Sequence, residues 1–145
     1  MFRENKKGFT LIELLVVVAI VGMLASIILV NTWSQRDRAR DANIKTYISQ
    51  IGGKAELLYF DSNGSYASVC DESDDTVSDE GDLGSLERAI MKENGNQAVK
   101  CFESADKGAF AVSSPLLFEE GKHWCLESAG APVEIDGPIT SASCQ

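Results

Sequence analysis

Basic residues, histidine and proline are all scarce in this chain. Lys and Arg number 13 against 22 Asp and Glu, a net charge of −9 over 145 residues. Without Arg3, Glu4, Lys6 and Lys7 the balance becomes 10 minus 21, or −11. A surface of that sign repels nucleic acid and anionic headgroups, so direct nucleic-acid binding is not expected. There is a single histidine, His123, and no GxSxG elbow, phosphate loop or HExxH, so no catalytic constellation can be assembled and no enzymatic activity is expected. His123, between Lys122 and Trp124 on a predicted strand, is a surface or packing residue on this reading. None of the four cysteines forms a CxxC pair, and their gaps of 31, 24 and 19 residues suit no zinc site. No metal and no cofactor are expected. No proline precedes Pro115, which removes the commonest cause of a helix kink from the N-terminal part.

One long apolar run is present. Phe9 to Val30 holds 22 residues, of which only Glu13 is ionisable. As a helix it would span about 33 Å, enough to cross a bilayer core. A secretory signal peptide has a shorter apolar core with its cleavage site after it; here Lys6-Lys7-Gly8 stands before the run. The basic leader favours a cytoplasmic N-terminus, with the residues after Val30 outside. Arg36, Arg38 and Arg40 oppose that bias but are interleaved with Asp37 and Asp41, and Asp41 to Lys45 has the spacing of a well-oriented i,i+4 pair. Glu13 is the anomaly, because a carboxylate at the centre of a membrane helix costs about 2.5–3.5 kcal/mol on insertion scales.

Cys70, Cys101, Cys125 and Cys144 all follow the run, and an even number beyond a membrane anchor points to disulfides in an oxidising compartment. Four cysteines allow three pairings. The short-loop solution, Cys70–Cys101 with Cys125–Cys144, is favoured, each bond contributing roughly 3–4 kcal/mol by loop entropy.

The stretch "KKGFTLIELLVVVAIVGMLASII", Lys6 to Ile28, resembles the processing and methylation signal of type IV pilins and their pseudopilin relatives. The resemblance rests on the basic pair, Gly8, Phe9, Thr10, Leu11, Glu13 and the aliphatics that follow. It implies cleavage between Gly8 and Phe9 by a membrane prepilin peptidase, and N-methylation of the new Phe9 amine. It implies two roles for Glu13: support of methylation, and pairing with the N-terminal amine of an adjacent subunit. Such pairing would supply both attraction and axial register, because an unpaired carboxylate in hydrocarbon is costly. Further partners implied are an assembly ATPase and a platform membrane protein. Ala19, Gly22 and Ser26 offer small residues for close helix approach. The kinking proline that many pilins carry near the position of Val30 is missing.

Beyond the run, Ile44, Ile48, Ile51, Ala55 and Leu58 form one apolar stripe, interrupted by Gly52-Gly53, which are expected to loosen the helix locally. "DSNGSY", Asp61 to Tyr66, stops it with turn formers; Asn63-Gly64-Ser65 fits a glycosylation sequon, though a turn explains it better. "DESDDTVSDEGD", Asp71 to Asp82, holds seven acids and no base and is expected to be a solvated loop. Calcium is the sharper alternative, but Thr76 stands where an EF-hand needs glycine. Leu83, Leu86 and Ile90 predict a short amphipathic helix ended by Gly95. "AFAVSSPLLF", "KHWCLES" and "PVEIDGPIT" predict a three-strand antiparallel meander, with turns at Glu120-Gly121 and Ala129-Gly130 and with Pro115 at an edge or a break.

The expected fold is α+β: a long N-terminal helix, half transmembrane and half amphipathic, packed against a small C-terminal antiparallel sheet. Residues 1–8 are the expected leader, 9–30 the transmembrane and assembly helix, and 31–145 an extracytoplasmic globular domain. The resemblance implies a homo-oligomeric filament of type IV pilus subunits that starts in the cytoplasmic membrane and serves adhesion, twitching motility or DNA uptake. A pseudopilin of a type II secretion or competence system is the alternative. A monomeric membrane-anchored binding domain is the alternative from another class.

Overall fold

A computed structural model describes residues 8–145, and the side chains of all of these except residues 28–32. The expected leader, with Lys6-Lys7, and the last apolar positions up to Val30 therefore lie outside the described residues or side chains. The elements run α1 (Leu11–Asp61), β1 (Cys70–Asp71), β2 (Thr76–Val77), α2 (Gly81–Glu93), β3 (Lys100–Glu103), β4 (Phe110–Pro115), β5 (Lys122–Glu127) and β6 (Val133–Asp136). The chain divides into two units between Arg36 and Asp37. In the first, every described side chain from Phe9 to Ile27 is exposed, Phe9 by 80% and Leu11 by 77%. Among the described residues no helix is long and apolar enough to cross a membrane.

The second unit is a helix laid on a sheet. Ile44, Ile48, Ile51 and Ala55 recur at helical spacing and are all fully buried. They pack with Phe110, Val112, Val99 and Leu126 in one core cluster. Each fully buried Ile contributes roughly 1.5–3 kcal/mol. Gly52 and Gly53 do not loosen α1, which runs through them without a break. At Gly52 the reason is close approach, since a Cβ there would come within 2.5 Å of Leu126 Cδ2. The helix ends as its turn formers predict: Asn63 (φ 54) and Gly64 (φ 86) take left-handed backbone, and Gly64 N–H donates to the Tyr59 carbonyl.

The sheet corrects the three-strand expectation. It has six antiparallel strands in the order β1-β2-β3-β4-β5-β6. The three that were missed are short: β1 and β2 have two residues each and β3 four, too few to show an alternating pattern. Two of them fall in the acidic segment, which is therefore a β1–β2 hairpin leading into the first turn of α2 rather than a plain loop. Inside the hairpin Asp71 Oδ1 accepts the Ser73 amide, and Asp74 Oδ1 accepts both the Thr76 amide and its hydroxyl. These local bonds hold a tight turn that net charge alone would not suggest.

Strand β4 is buried along its whole length and pairs on both sides. Its alternation sends Phe110 and Val112 into the α1 core and Ala111 into a smaller cluster with Cys125 and Ile139 on the opposite face. Pro115 is the last residue of β4. It pairs with His123 of β5 but lies beyond Ser113, the last β4 partner of β3, so no ladder donor is lost. The predicted strand ends at Leu117 and Phe118 are loop instead, and Asp41 is the reason. This carboxylate is 7% exposed and accepts the amides of Leu117 (2.7 Å) and Phe118 (3.0 Å). The expected Asp41–Lys45 pair is absent: Lys45 Nζ instead stands 4.3 Å over the Trp124 ring and 3.9 Å from Glu134. Two amide donors satisfy a buried carboxylate in place, whereas a half-exposed lysine can lay its stem along an aromatic face.

α2 buries Leu83, Ile90 and, unexpectedly, Glu87, which is 5% exposed. Burial, reinforced by the charges of Asp79 and Asp74, raises the Glu87 carboxyl to a pKa of about 7; Arg88 and the Val77 amide act in the opposite direction. A pKa above the unfolded value means the folded state holds an extra proton between about pH 4.5 and 7. The stability Glu87 contributes is therefore fully present below pH 4.5 and is lost as pH rises through 7. Glu87→Gln, neutral throughout, should gain on the unaltered protein as pH rises from 5 to 8, by on the order of 1–3 kcal/mol. Thermal denaturation across that range checks it; a constant offset between the two curves would show that Glu87 does not titrate there.

The start of α2 supplies a second expectation. A Cβ at Gly84 would lie 2.0 Å from the Asp79 carbonyl oxygen, a clash with backbone rather than with a mobile side chain. Gly84→Ala should destabilise the fold by about 1–3 kcal/mol despite the better helix propensity of alanine, read as a lowered denaturation midpoint.

Candidate functional site

Gly8 and Phe9 precede α1 in extended, exposed chain, and nothing lies within 4 Å of where a Gly8 Cβ would be. Thr10 is the N-cap. Its carbonyl accepts the Leu14 amide (3.3 Å), the first helical bond, and its hydroxyl oxygen accepts the Glu13 amide (3.4 Å). Glu13 answers: its Oε2 accepts the Thr10 amide (2.9 Å) and the Thr10 hydroxyl (2.6 Å). This is a capping box, in which each of two otherwise orphaned amides at a helix start donates to the other residue's side-chain oxygen. The carboxylate also stands in the first turn, where the helix dipole favours negative charge.

Glu13 is thus not stranded in the apolar run. The signal for its partner is legible as Thr10-x-x-Glu13, the S/T-x-x-E pattern that announces a helix start. The cap occupies one carboxylate oxygen. Among the described residues Oε1 makes no hydrogen bond. Further along, Ser26 Oγ donates back to the Gly22 carbonyl (2.9 Å), which leaves the Gly22–Ser26 face without a free hydroxyl donor.

The cysteine sites lie apart, one on each face of the sheet. Cys70 is bonded to Cys101 (Cα–Cα 5.4 Å) in the α1-side core, and Cys125 to Cys144 (5.8 Å) in the opposite cluster. Each has a carboxylate beside it that sequence reading did not single out. Glu103, its side chain 2% exposed, accepts the Cys70 amide (2.8 Å) and pairs with Lys107 (2.9 Å), which also pairs with Glu72. Glu127 accepts the Cys144 amide (2.8 Å). No short-range pattern identifies such residues, because their partners are 33 and 17 positions away.

Among the described residues no group of three or more His, Cys, Asp or Glu is placed to hold a metal ion. His123 does not meet an acid. It is half-buried on β5 with Nδ1 unpartnered, and burial holds its imidazole below the ordinary histidine range. Three open grooves of about 270–420 Å³ lie among the described residues.

The prokaryotic N-terminal methylation motif matches residues 3–29. The chain is 42% identical over 65 residues to the type IV wide pilus major component PilA4 of Thermus thermophilus, covering 45% of this chain and 49% of that one. It is 34% identical over 71 residues to the type IV major pilin protein PilA of Myxococcus xanthus, covering 49% and 32%. It is 37% identical over 69 residues to the type II secretion system core protein G of Pseudomonas aeruginosa, covering 48% of each. The chain thus spans half or less of the length of these relatives. No solved structure matches. The chain carries a prokaryotic N-terminal methylation motif at the head of its long helix, and its relatives are type IV pilins and type II secretion pseudopilins.

Proposed function

We propose that this chain is a structural subunit of a type IV pilus. A prepilin peptidase cuts between Gly8 and Phe9, the Phe9 amine is methylated, and the subunit passes from the cytoplasmic membrane into a homo-oligomeric surface filament. The N-terminus stays on the cytoplasmic side and the disulfide-bonded unit lies outside, with an assembly ATPase and a platform membrane protein as indirect partners. The observation that carries this reading is the head of α1: a Thr10–Glu13 cap followed by apolar side chains that are all exposed from Leu14 to Ile27. Such a surface has to be covered by lipid or by copies of itself. Cleavage makes Phe9 a cation one residue from the cap, and a neighbouring subunit brings a second amine at matching depth. Oε1 is the acceptor for it, so Glu13 caps its own helix with one oxygen and registers its neighbour with the other.

The filament's roles would be adhesion, twitching motility or DNA uptake, the last without direct DNA contact by this acidic surface. No catalysis is assigned to the chain itself. A type II secretion pseudopilin is the second reading, favoured by the match to core protein G, which is as extensive as that to the pilins. It differs in outcome: a pseudopilus stays within the envelope, whereas a pilus is sheared from the cell surface. A monomeric anchored binding domain would leave the exposed apolar segment facing lipid alone and would appear in neither fraction.

Processing is tested by intact mass. Protein extracted from membranes should lack Met1 to Gly8 and carry one added methyl on Phe9. Recovery of the full 145-residue chain as the mature form would sink the assignment.

The two duties of Glu13 are separated by comparing it with its capping partner. Thr10→Ala removes the cap, at about 0.5–2 kcal/mol of helix-start stability, but leaves the carboxylate. Glu13→Gln and Glu13→Ala remove the charge. Membrane levels of both Glu13 variants should be kept or raised, since a desolvated charge is gone, while filament yield collapses; Thr10→Ala should still assemble. Equal loss in Thr10→Ala and Glu13→Gln would mean that Glu13 matters only as a cap.

A further inference from the structure

The chain holds two Asn-Gly pairs, Asn63-Gly64 and Asn94-Gly95, and the fold treats them oppositely. In such a pair the asparagine side chain is open to attack by its own backbone, because glycine puts no side chain in the way of the following amide nitrogen. Asn94 is sealed against this. It has no exposure, its Nδ2 donates to the Gln97 carbonyl (2.9 Å) and to Ser114 Oγ (3.0 Å), and its Oδ1 accepts the Gln97 amide (2.9 Å). Swinging that side chain round would strip all of these bonds inside the core, which means unfolding the end of α2.

Asn63 stands in the opposite setting. Every residue from Phe60 to Gly64 is exposed. The nearby side-chain bonds join Tyr66 to Glu56 and Ala67 to Ser65, and none reaches the Asn63 amide. One hydrogen bond restrains the attacking atom: Gly64 N–H donates to the Tyr59 carbonyl (2.9 Å), with Asn63 in left-handed backbone (φ 54). The attack therefore waits for this turn to open. A single exposed backbone bond at a helix end holds such a turn shut by a factor on the order of tenfold.

We propose that Asn63 is a site of spontaneous deamidation, with water as the sole co-reactant. In the opened turn the Gly64 amide nitrogen loses its proton to solvent base and bonds to Asn63 Cγ. The Cγ–Nδ2 bond breaks, and Nδ2 takes up a proton and leaves as ammonia, giving a cyclic succinimide. Water then adds to either ring carbonyl and reopens the ring by breaking its bond to nitrogen. The product is an ordinary aspartate or an isoaspartate whose main chain runs through Cγ, and nothing is oxidised or reduced. Either product is a new carboxylate at the C-terminal end of α1, where the helix dipole disfavours negative charge. The isoaspartate also lengthens the backbone, so the Gly64 to Tyr59 bond can no longer close in its present register. The change accumulates with time and loosens the end of α1, which makes it a mark of subunit age. It depends on the exposure of one turn and holds whether or not the chain assembles.

The test incubates the full-length chain in detergent and follows the peptide that bears each asparagine by mass spectrometry and chromatography. A synthetic peptide spanning Asp61 to Tyr66 is the unstructured reference. Asn63 should exchange its amide for a carboxyl, as paired aspartate and isoaspartate products, at a rate within about tenfold of that peptide. Asn94 in the folded chain should change roughly tenfold or more slowly than Asn63, and should draw level once the chain is reduced and denatured. Asn63→Gln should stop the change while keeping both disulfides and the melting temperature, since a glutamine amide has to close a larger, slower-forming ring. An Asn63 still intact when the peptide has fully converted would overturn the proposal. So would conversion of Asn94 in step with Asn63 in the folded chain, or a glycan already carried on the Asn63 amide.

Discussion

The packing of one helix stripe onto one strand organises the second unit of the molecule. Ile44, Ile48, Ile51 and Ala55 have no exposure at all, and β4, against which they pack, is buried on both faces. β4 can be buried on its far side only because a second, smaller cluster of Ala111, Cys125 and Ile139 closes over it. The two disulfides follow from this arrangement. One joins the acidic hairpin to the helix-side core and the other holds the C-terminal segment on the opposite face. A unit this small gains most from crosslinks that tie peripheral chain to a central strand system, since its core alone is modest.

Acidity, which excludes partners at the level of composition, is put to use inside the fold. Asp41, Glu103 and Glu127 each accept backbone amides from segments distant in sequence, and Glu13 accepts the amide at the head of its own helix. A carboxylate suits this task because it offers several acceptor sites, and a charge-assisted bond is stronger than a neutral one. Glu87 is the exception: it is buried among like charges and is held near neutrality by their repulsion and by burial.

On the proposed reading, a local and an intermolecular role share the Glu13 side chain. The cap uses Oε2 and leaves Oε1 open. Because the cap fixes the carboxylate at the helix start, the open oxygen is held at a defined depth and direction. Positioning of that kind lowers the entropy that would otherwise be lost when a neighbour's amine is captured.

What the sequence determined by itself is whatever depends on near neighbours along the chain. The apolar run and its lone acid, the stripe from Ile44 to Ala55 and the stop at Asn63-Gly64 could all be read, because helix periodicity and turn chemistry are local properties; of the three cysteine pairings that the sequence allowed, the structure takes the favoured short-loop one. The Thr10–Glu13 box is equally local. What the tertiary structure alone decided is whatever depends on partners brought together from afar. Strands of two residues carry no alternation to read, so β1 and β2 exist only because β3 is there to receive them. Asp41 had a suitable lysine four residues on, yet took the amides of Leu117 and Phe118. The reason is physical: a buried carboxylate needs donors that reach it in place, an exposed helix pair contributes little, and which donors come near is known only once the chain has folded.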